Sequence, residues 1–238
     1  MNMADRHHEA VRGFWTGRTE QAEKQKAAGK VDAGSRGAVT GGGHLNPIRD
    51  LLAEVFVEGG IDESSIFMTS GIVLPGYYRP SKKWDLVVVE NDQLVAAIEL
   101  KSQVGPSFGN NTNNRAEEAI GNAVDVWRAF EEGTFGGFRP WLGYVFVLEE
   151  TEGSTKTVSI PKTLHPVENV FHGTSYKDRY RILCDRLTKE RLYDSAWFLT
   201  TAAPPSTLVD EPDPSMSFAA FRAGILGRIA HFRALFNP

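Results

Sequence analysis

Two apolar runs, Trp84–Glu90 (WDLVVVE) and Leu94–Ser102 (LVAAIELKS), are separated only by the polar residues Asn91-Asp92-Gln93. Runs of this length, rich in Val and Ile and bounded by turn formers, read as β-strands. A parallel pair would need a crossover of a dozen or more residues, so this connection implies an antiparallel hairpin. Upstream, Asn46 can cap a helix with Pro47 in its first turn. Ile48, Leu51, Leu52, Val55 and Phe56 recur there at helical spacing until Gly59-Gly60 stops it. Ser65–Val73 reads as a further strand, which completes a three-strand meander. After a Gly/Asn-rich loop, GPSFGNNTNN, the pattern predicts a helix over Arg115–Glu132, a strand buried on both faces at Trp141–Leu148, a helix at Tyr176–Arg191, a strand at Ala196–Thr201 and a last amphipathic helix at Phe218–Phe236. The order helix, three-strand meander, helix, strand, helix, strand is that of an α/β fold, a central mixed sheet flanked by helices.

Residues 46–201 are enough for one core. Residues 1–45 are polar, with a helical patch at Arg6–Lys26 whose apolar contacts are Val11, Phe14 and Trp15, and they end in a glycine-rich loop, Gly34–Gly43. That loop is not a phosphate loop, because no GK[ST] follows it and no strand precedes it. Residues 202–238 form a proline-rich linker, AAPPSTLVDEPDP, and the final helix. The stripe Phe218, Phe221, Ile225, Ile229, Phe232 and Phe236 packs that helix on the core or on a dimer interface. No apolar run approaches the ~20 residues that span a bilayer, and the N-terminus lacks the apolar core of a secretory signal. A lone cysteine, Cys184, excludes an internal disulfide framework and suits a reducing, cytoplasmic setting. The net charge of −4 excludes a generic polyanion binder, but not a protein whose cations are confined to one cleft.

The hairpin carries the residues with chemistry. Glu99 and Lys101 stand two apart on one strand, so they share a face, while Ile98 and Leu100 point the other way. Asp85 opens the neighbouring strand and reaches the same face if the register allows. Charged groups at a mostly buried strand end are costly unless paired or bound to a metal, and two close carboxylates repel unless a cation lies between them. Hard oxygen ligands with water in the remaining positions describe a Mg2+ site, and such a site activates water against a phosphodiester. The plainer alternative is a structural Glu99–Lys101 ion pair. Around the hairpin, Tyr77, Tyr78, Arg79, Lys82 and Lys83 interleave cations with aromatics, which suits phosphate contacts and base stacking. Asn110, Asn111, Asn113, Asn114 and Arg115 crowd the loop before a helix, and Asn and Arg are the residues that read adenine and guanine edges. Glu54, on the helix before the meander, is a lesser metal-ligand candidate. The six histidines show no ligand spacing.

Two segments, LPGYYRPSKKWD and LVAAIELKSQVGPSFGNNTNNRAEEAIGNA, resemble the core of the XhoI family of type II restriction endonucleases. The resemblance runs almost ungapped from Leu74 to Ala123 and continues more weakly through GTSYKDRYRILCDRL; the first 45 residues and the stretch after Leu192 match poorly. It implies the PD…(D/E)xK nuclease fold, Mg2+ dependence, a homodimer, and cleavage of double-stranded DNA within CTCGAG to leave 5′ overhangs. Asp85 then stands for the family's first metal carboxylate, Glu99 for the second and Lys101 for the motif lysine, with the Leu100 carbonyl as a further metal ligand. Trp84 occupies the position that the wider superfamily's signature gives to proline. A companion DNA methyltransferase acting on the same site is also implied. Two alternatives remain on the residues alone: a structure-specific repair or recombination nuclease of the same fold, and a catalytically silent DNA-binding module.

Overall fold

The computed structural model describes residues 3–27, 42–206 and 208–236, so most of the expected Gly34–Gly43 loop lies outside the described residues. The hairpin is present. Strands β4 (Leu86–Glu90) and β5 (Gln93–Gln103) pair antiparallel, with Leu86 opposite Ile98. The turn is two residues long. Asn91 and Asp92 have φ of 52° and 59°, the pair of positive φ values that a type I′ turn requires, while Gln93 already pairs with Glu90.

Strand β6 (Trp141–Glu149) runs parallel to β5, and β7 (Ser195–Thr201) runs parallel to β6. Two short antiparallel strands close the edges, β1 (Ile66–Phe67) beside β4 and β8 (Val209–Asp210) beside β7. The result is a six-stranded mixed sheet in the order β1-β4-β5-β6-β7-β8. The expected strand Ser65–Val73 is a correction: only Ile66–Phe67 joins the sheet, because Gly71 at φ 69° turns the chain away. Past that turn, β2 (Val73–Pro75) and β3 (Ser81–Lys83) form a separate two-stranded ribbon that carries the chain to Asp85.

Helices cover both faces. On one lie α1 (Met3–Ala27), α2 (Asn46–Glu58) and α6 (Phe218–Phe236), packed against Leu86, Val88, Ile98, Leu100 and Val145. On the other lie α3 (Gly109–Glu131) and α5 (Tyr176–Lys189), packed against Val87, Ala97, Tyr144, Phe146 and Phe198, with the single-turn α4 (Glu152–Thr155) preceding α5. Asn46 is not the cap of α2 but its first residue. The 3-10 turn Gly42–Leu45 runs straight into the helix and leaves Leu45 at the capping position.

Helix α3 begins six residues ahead of the expected Arg115, so Asn110, Asn111, Asn113 and Asn114 are helical and not a loop. Packing overrides their weak helix propensity. Phe108 is buried against the Tyr176 ring, and Thr112 Oγ1 donates to the Phe108 carbonyl at 3.0 Å, which together fix the first turn. No described helix is long and apolar enough to cross a membrane.

The stripe on α6 is core: Phe218, Phe221, Ile225, Ile229 and Phe232 are buried, and Phe236 lies at the rim. Val11, Phe14 and Trp15 of α1 enter the same apolar layer, and Trp15 Nε1 donates to Thr201 Oγ1 at 3.0 Å. Gly13 and Gly17 let α1 lie this close. A Cβ at either would meet Pro47 Cβ at 2.9 Å or His44 Cα at 3.1 Å. Because Phe14 is fully buried, Phe14→Ala should cost about 3–5 kcal/mol in urea denaturation. A loss below about 1 kcal/mol would instead mark α1 as loosely attached.

Candidate active site

The hairpin register sets the site. The Asp85 N–H donates to the Ile98 carbonyl at 3.2 Å, and the Leu100 N–H donates back to Asp85 Oδ2 at 2.8 Å, so the Asp85 carboxylate is pinned beside Glu99. Glu99 is 2% exposed on the α3–α5 face of β5, and Lys101 follows on the same face. Lys101 Nζ contacts Glu99 Oε1 and Lys82 Nζ contacts Glu99 Oε2, while Asn122 Nδ2 stands 3.4 Å from Oε1. Lys82 also sits over the Trp84 ring, 4.2 Å from its centroid.

Burial sets the electrostatics of this cluster. It pushes the Asp85 carboxyl above its ordinary value, and the neighbouring Glu99 charge pushes it further. Burial works in the same direction on Glu99, but Lys101 and Lys82 outweigh it and hold that carboxyl below its usual range. Lys101 is likewise penalised by burial and yet raised by the Glu99 charge, so it is held as an ammonium. For Lys82 desolvation wins and the pKa falls. Glu99 is therefore a charge balanced by two cations, and Asp85 is a charge without a comparable partner.

Asp85, Glu99, Leu100 and Lys101 line a cleft of about 410 Å3, together with Arg18, His44, Lys83, Asn111 and Arg115. Among the described residues no group of three or more His, Cys, Asp or Glu side chains gathers as a metal cage. Two hard carboxylates on an open cleft, one of them destabilised by the other, nevertheless fit a dication that keeps several of its waters. Glu99 would then share its carboxylate between the ion and the lysines.

The other expected residues divide. Lys82 joins the cluster around Glu99, and Lys83, Asn111 and Arg115 line its cleft. Tyr77 and Tyr78 are exposed at the turn of the ribbon, and their N–H groups each donate to Asp125 Oδ1 at 2.8 Å. Arg79 is tied to α3, donating from Nε to Asp125 Oδ2 at 2.7 Å and from a terminal nitrogen to Asn122 Oδ1 at 2.8 Å. Asn113 faces a different, apolar groove between α3 and α5, and Asn114 is exposed; the side chain of Asn110 lies outside the description. Glu54 is not brought to the cleft. It pairs with Arg6 and lines a groove with Met3, Asp50 and Ile66.

Four residues escaped the sequence reading: Asn122, Asp125, Arg18 and His44. Asn122 and Asp125 had a signal, since they interrupt the apolar stripe of α3 beside Ala119, Ala123 and Val126. Arg18 and His44 had none, because their place depends on how α1 lies against the 3-10 turn; His44 Nε2 is 2.9 Å from Ser102 Oγ.

The family model of the restriction endonuclease XhoI matches residues 24–208. The type II restriction enzyme BstVI of Geobacillus stearothermophilus is 40% identical over 221 residues, covering 90% of this chain and 98% of its own. The type II restriction enzyme XhoI of Xanthomonas vasicola is 39% identical over 180 residues, 74% of this chain and 72% of its own. AbrI of Azospirillum brasilense, also a type II restriction enzyme, is 42% identical over 150 residues, 62% of this chain and 67% of its own. The likeness therefore extends past Leu192, further than the sequence motifs suggested. No solved structure matches the chain.

The unequal charge balance gives two substitutions of opposite sign. Without divalent cation, Asp85→Asn should raise the thermal midpoint by about 2–4 °C, the yield of about 1 kcal/mol in a chain of this size. Its amide oxygen can still accept from Leu100. Glu99→Gln should lower the midpoint, because Lys82 and Lys101 lose their common anion. Equal shifts in thermal denaturation would show that the two carboxylates are electrostatically alike.

Proposed function

The chain belongs to the XhoI restriction endonuclease family, and on that footing we propose that it cuts both strands of duplex DNA at the palindrome CTCGAG, or a close variant, using Mg2+ and leaving 5′ overhangs. As a member of that family it is a type II restriction enzyme, a site-specific deoxyribonuclease. The observation that carries the finer reading is the convergence of Asp85, Glu99 and Lys101 on one cleft.

Asp85, Glu99 and the Leu100 carbonyl would hold the ion. When bound, Mg2+ supplies positive charge to the scissile phosphate and makes nearby water more acidic. The chain's own groups do the rest. Lys101, held as an ammonium by Glu99, donates hydrogen bonds that orient the attacking water in line with the leaving oxygen, and it offsets the charge that builds on the phosphate. Lys82, on the other oxygen of Glu99, keeps that carboxylate ionised and fixed in direction. Lys83 lines the cleft, and Tyr77 and Tyr78 are exposed on the ribbon that leads to Asp85, where they are available to a DNA strand. Asn111 and Arg115, on α3, line the same cleft.

A palindrome has two equivalent scissile bonds, so the proposed active form is a twofold homodimer with one site per strand. Residues 46–201 form the proposed nuclease core, and α1 and α6, from the flanking segments 1–45 and 202–238, pack on it. A methyltransferase modifying the same sequence would protect the host's DNA, and both would work in the cytoplasm.

Digestion of a sequenced plasmid with one CTCGAG site, in Mg2+ or EDTA, followed by run-off sequencing of the ends, tests the reading. A single Mg2+-dependent double-strand cut at that site is expected; discrete cuts elsewhere would keep the nuclease and remove the assigned specificity. Lys101→Ala should abolish cutting while site-specific binding persists. Loss of binding as well would make Lys101 a structural residue.

A further inference from the structure

We propose that Arg18, reaching the cleft from α1, and Arg115, reaching it from α3, form a two-arginine clamp on a DNA backbone phosphate flanking the one that is cut. This rests on the reading of the cleft as a DNA nuclease site. Both residues line the cavity that holds Asp85, Glu99 and Lys101, yet they come from helices on opposite faces of the sheet. Arg18 stands outside residues 24–208, the span that the family model covers.

Three observations fit an anion-binding pair. The lysines nearest the carboxylates are already committed, since Lys82 and Lys101 share Glu99. Arg115 is only partly engaged: one terminal nitrogen donates to Glu118 at 2.7 Å, its side chain is 13% exposed, and its Nε is buried without a hydrogen-bond partner. Arg18 is half-buried and, among the described residues, makes no ion pair; Glu149 is the acidic group that acts on it, at longer range. Half-burying a guanidinium without pairing it is unfavourable, and an anion between the two forks would remove that cost.

Phosphate is the anion that a guanidinium fork matches in shape and charge. The close seating of α1 at Gly13 and Gly17 is what brings Arg18 to the cleft, so the clamp is built by the fold and not by a mobile surface side chain.

Fluorescence-anisotropy titration of a CTCGAG duplex and a scrambled duplex, without divalent cation and between about 50 and 200 mM salt, separates the possibilities. Arg18→Met and Arg115→Met should each weaken binding about tenfold, the size of one charge-assisted hydrogen bond. The loss should be similar on both duplexes, and the slope of log K against log salt should become shallower by about 1 in the double variant and by less in either single one, since one phosphate is held by both. The double variant should lose less than the sum of the singles, because both act on one phosphate. Arg18→Lys should keep the salt slope and lose part of the affinity. If Arg18→Met lowers the thermal midpoint but leaves affinity and slope unchanged, Arg18 is a structural partner of Glu149 and the clamp is overturned. Strictly additive losses would also overturn it. Failure of the unaltered protein to bind either duplex would overturn the clamp alone if it still cuts the CTCGAG plasmid in Mg2+, and the nuclease reading as well if it does not.

Discussion

The antiparallel pairing of β4 with β5 is the constraint on which the rest of this structure depends. Its turn, Asn91-Asp92, and the bulge between Val88 and Val89 together set the register, and the register places Asp85 where the Leu100 N–H can hold its carboxylate. Glu99 and Lys101 then face the same cleft, while Ile98 and Leu100 anchor the opposite apolar layer. Side chains alternate along a strand, so the same hydrogen-bond ladder that buries the core also aims the charges. The apolar residues of this hairpin, between two helical layers, supply the rigidity that the charged cluster needs.

The charges themselves are unevenly satisfied. Glu99 is enclosed by Lys82, Lys101 and Asn122, and it behaves as a fixed anion. Asp85 has a backbone donor and an unfavourable neighbour. An active site that is stable around one carboxylate and strained around the other favours a cation that touches both. The network reaches further through Asn122, which also accepts from Arg79, and Arg79 pairs with Asp125. The aromatic turn at Tyr77 and Tyr78 is thereby tied to the same helix face as the Glu99 carboxylate.

Much of this could be read from the sequence, because local patterns specified it. The alternation in LVAAIELKS assigned the faces of β5 correctly, and the unbroken apolar run of β6 identified a strand covered on both sides. The boundaries of α6 follow from its stripe of aromatic and branched residues. What could not be read depended on distant packing. The Asn-rich segment looks like a loop by composition, and only the seating of Phe108 against Tyr176 makes it helical. Gly71 divided an apparently continuous strand. Arg18 and His44 enter the cleft only because α1 crosses the chain near Pro47, a contact about thirty residues away in sequence.

Strand β5 has an antiparallel neighbour on one side and a parallel one on the other, so two kinds of ladder meet along it. It is locked from both edges at once. A residue inserted at the Asn91-Asp92 turn can be absorbed as a longer loop, and the bulge at Val95 already absorbs one at the start of β5, but one inserted at Ala96–Ile98, where both ladders run, cannot be absorbed by slipping past a single partner. It would turn Glu99 and Lys101 into the layer occupied by Leu86 and Val145. Changes of length are therefore tolerated at the loops of this architecture, while the doubly paired stretch of β5 has to keep its residue count.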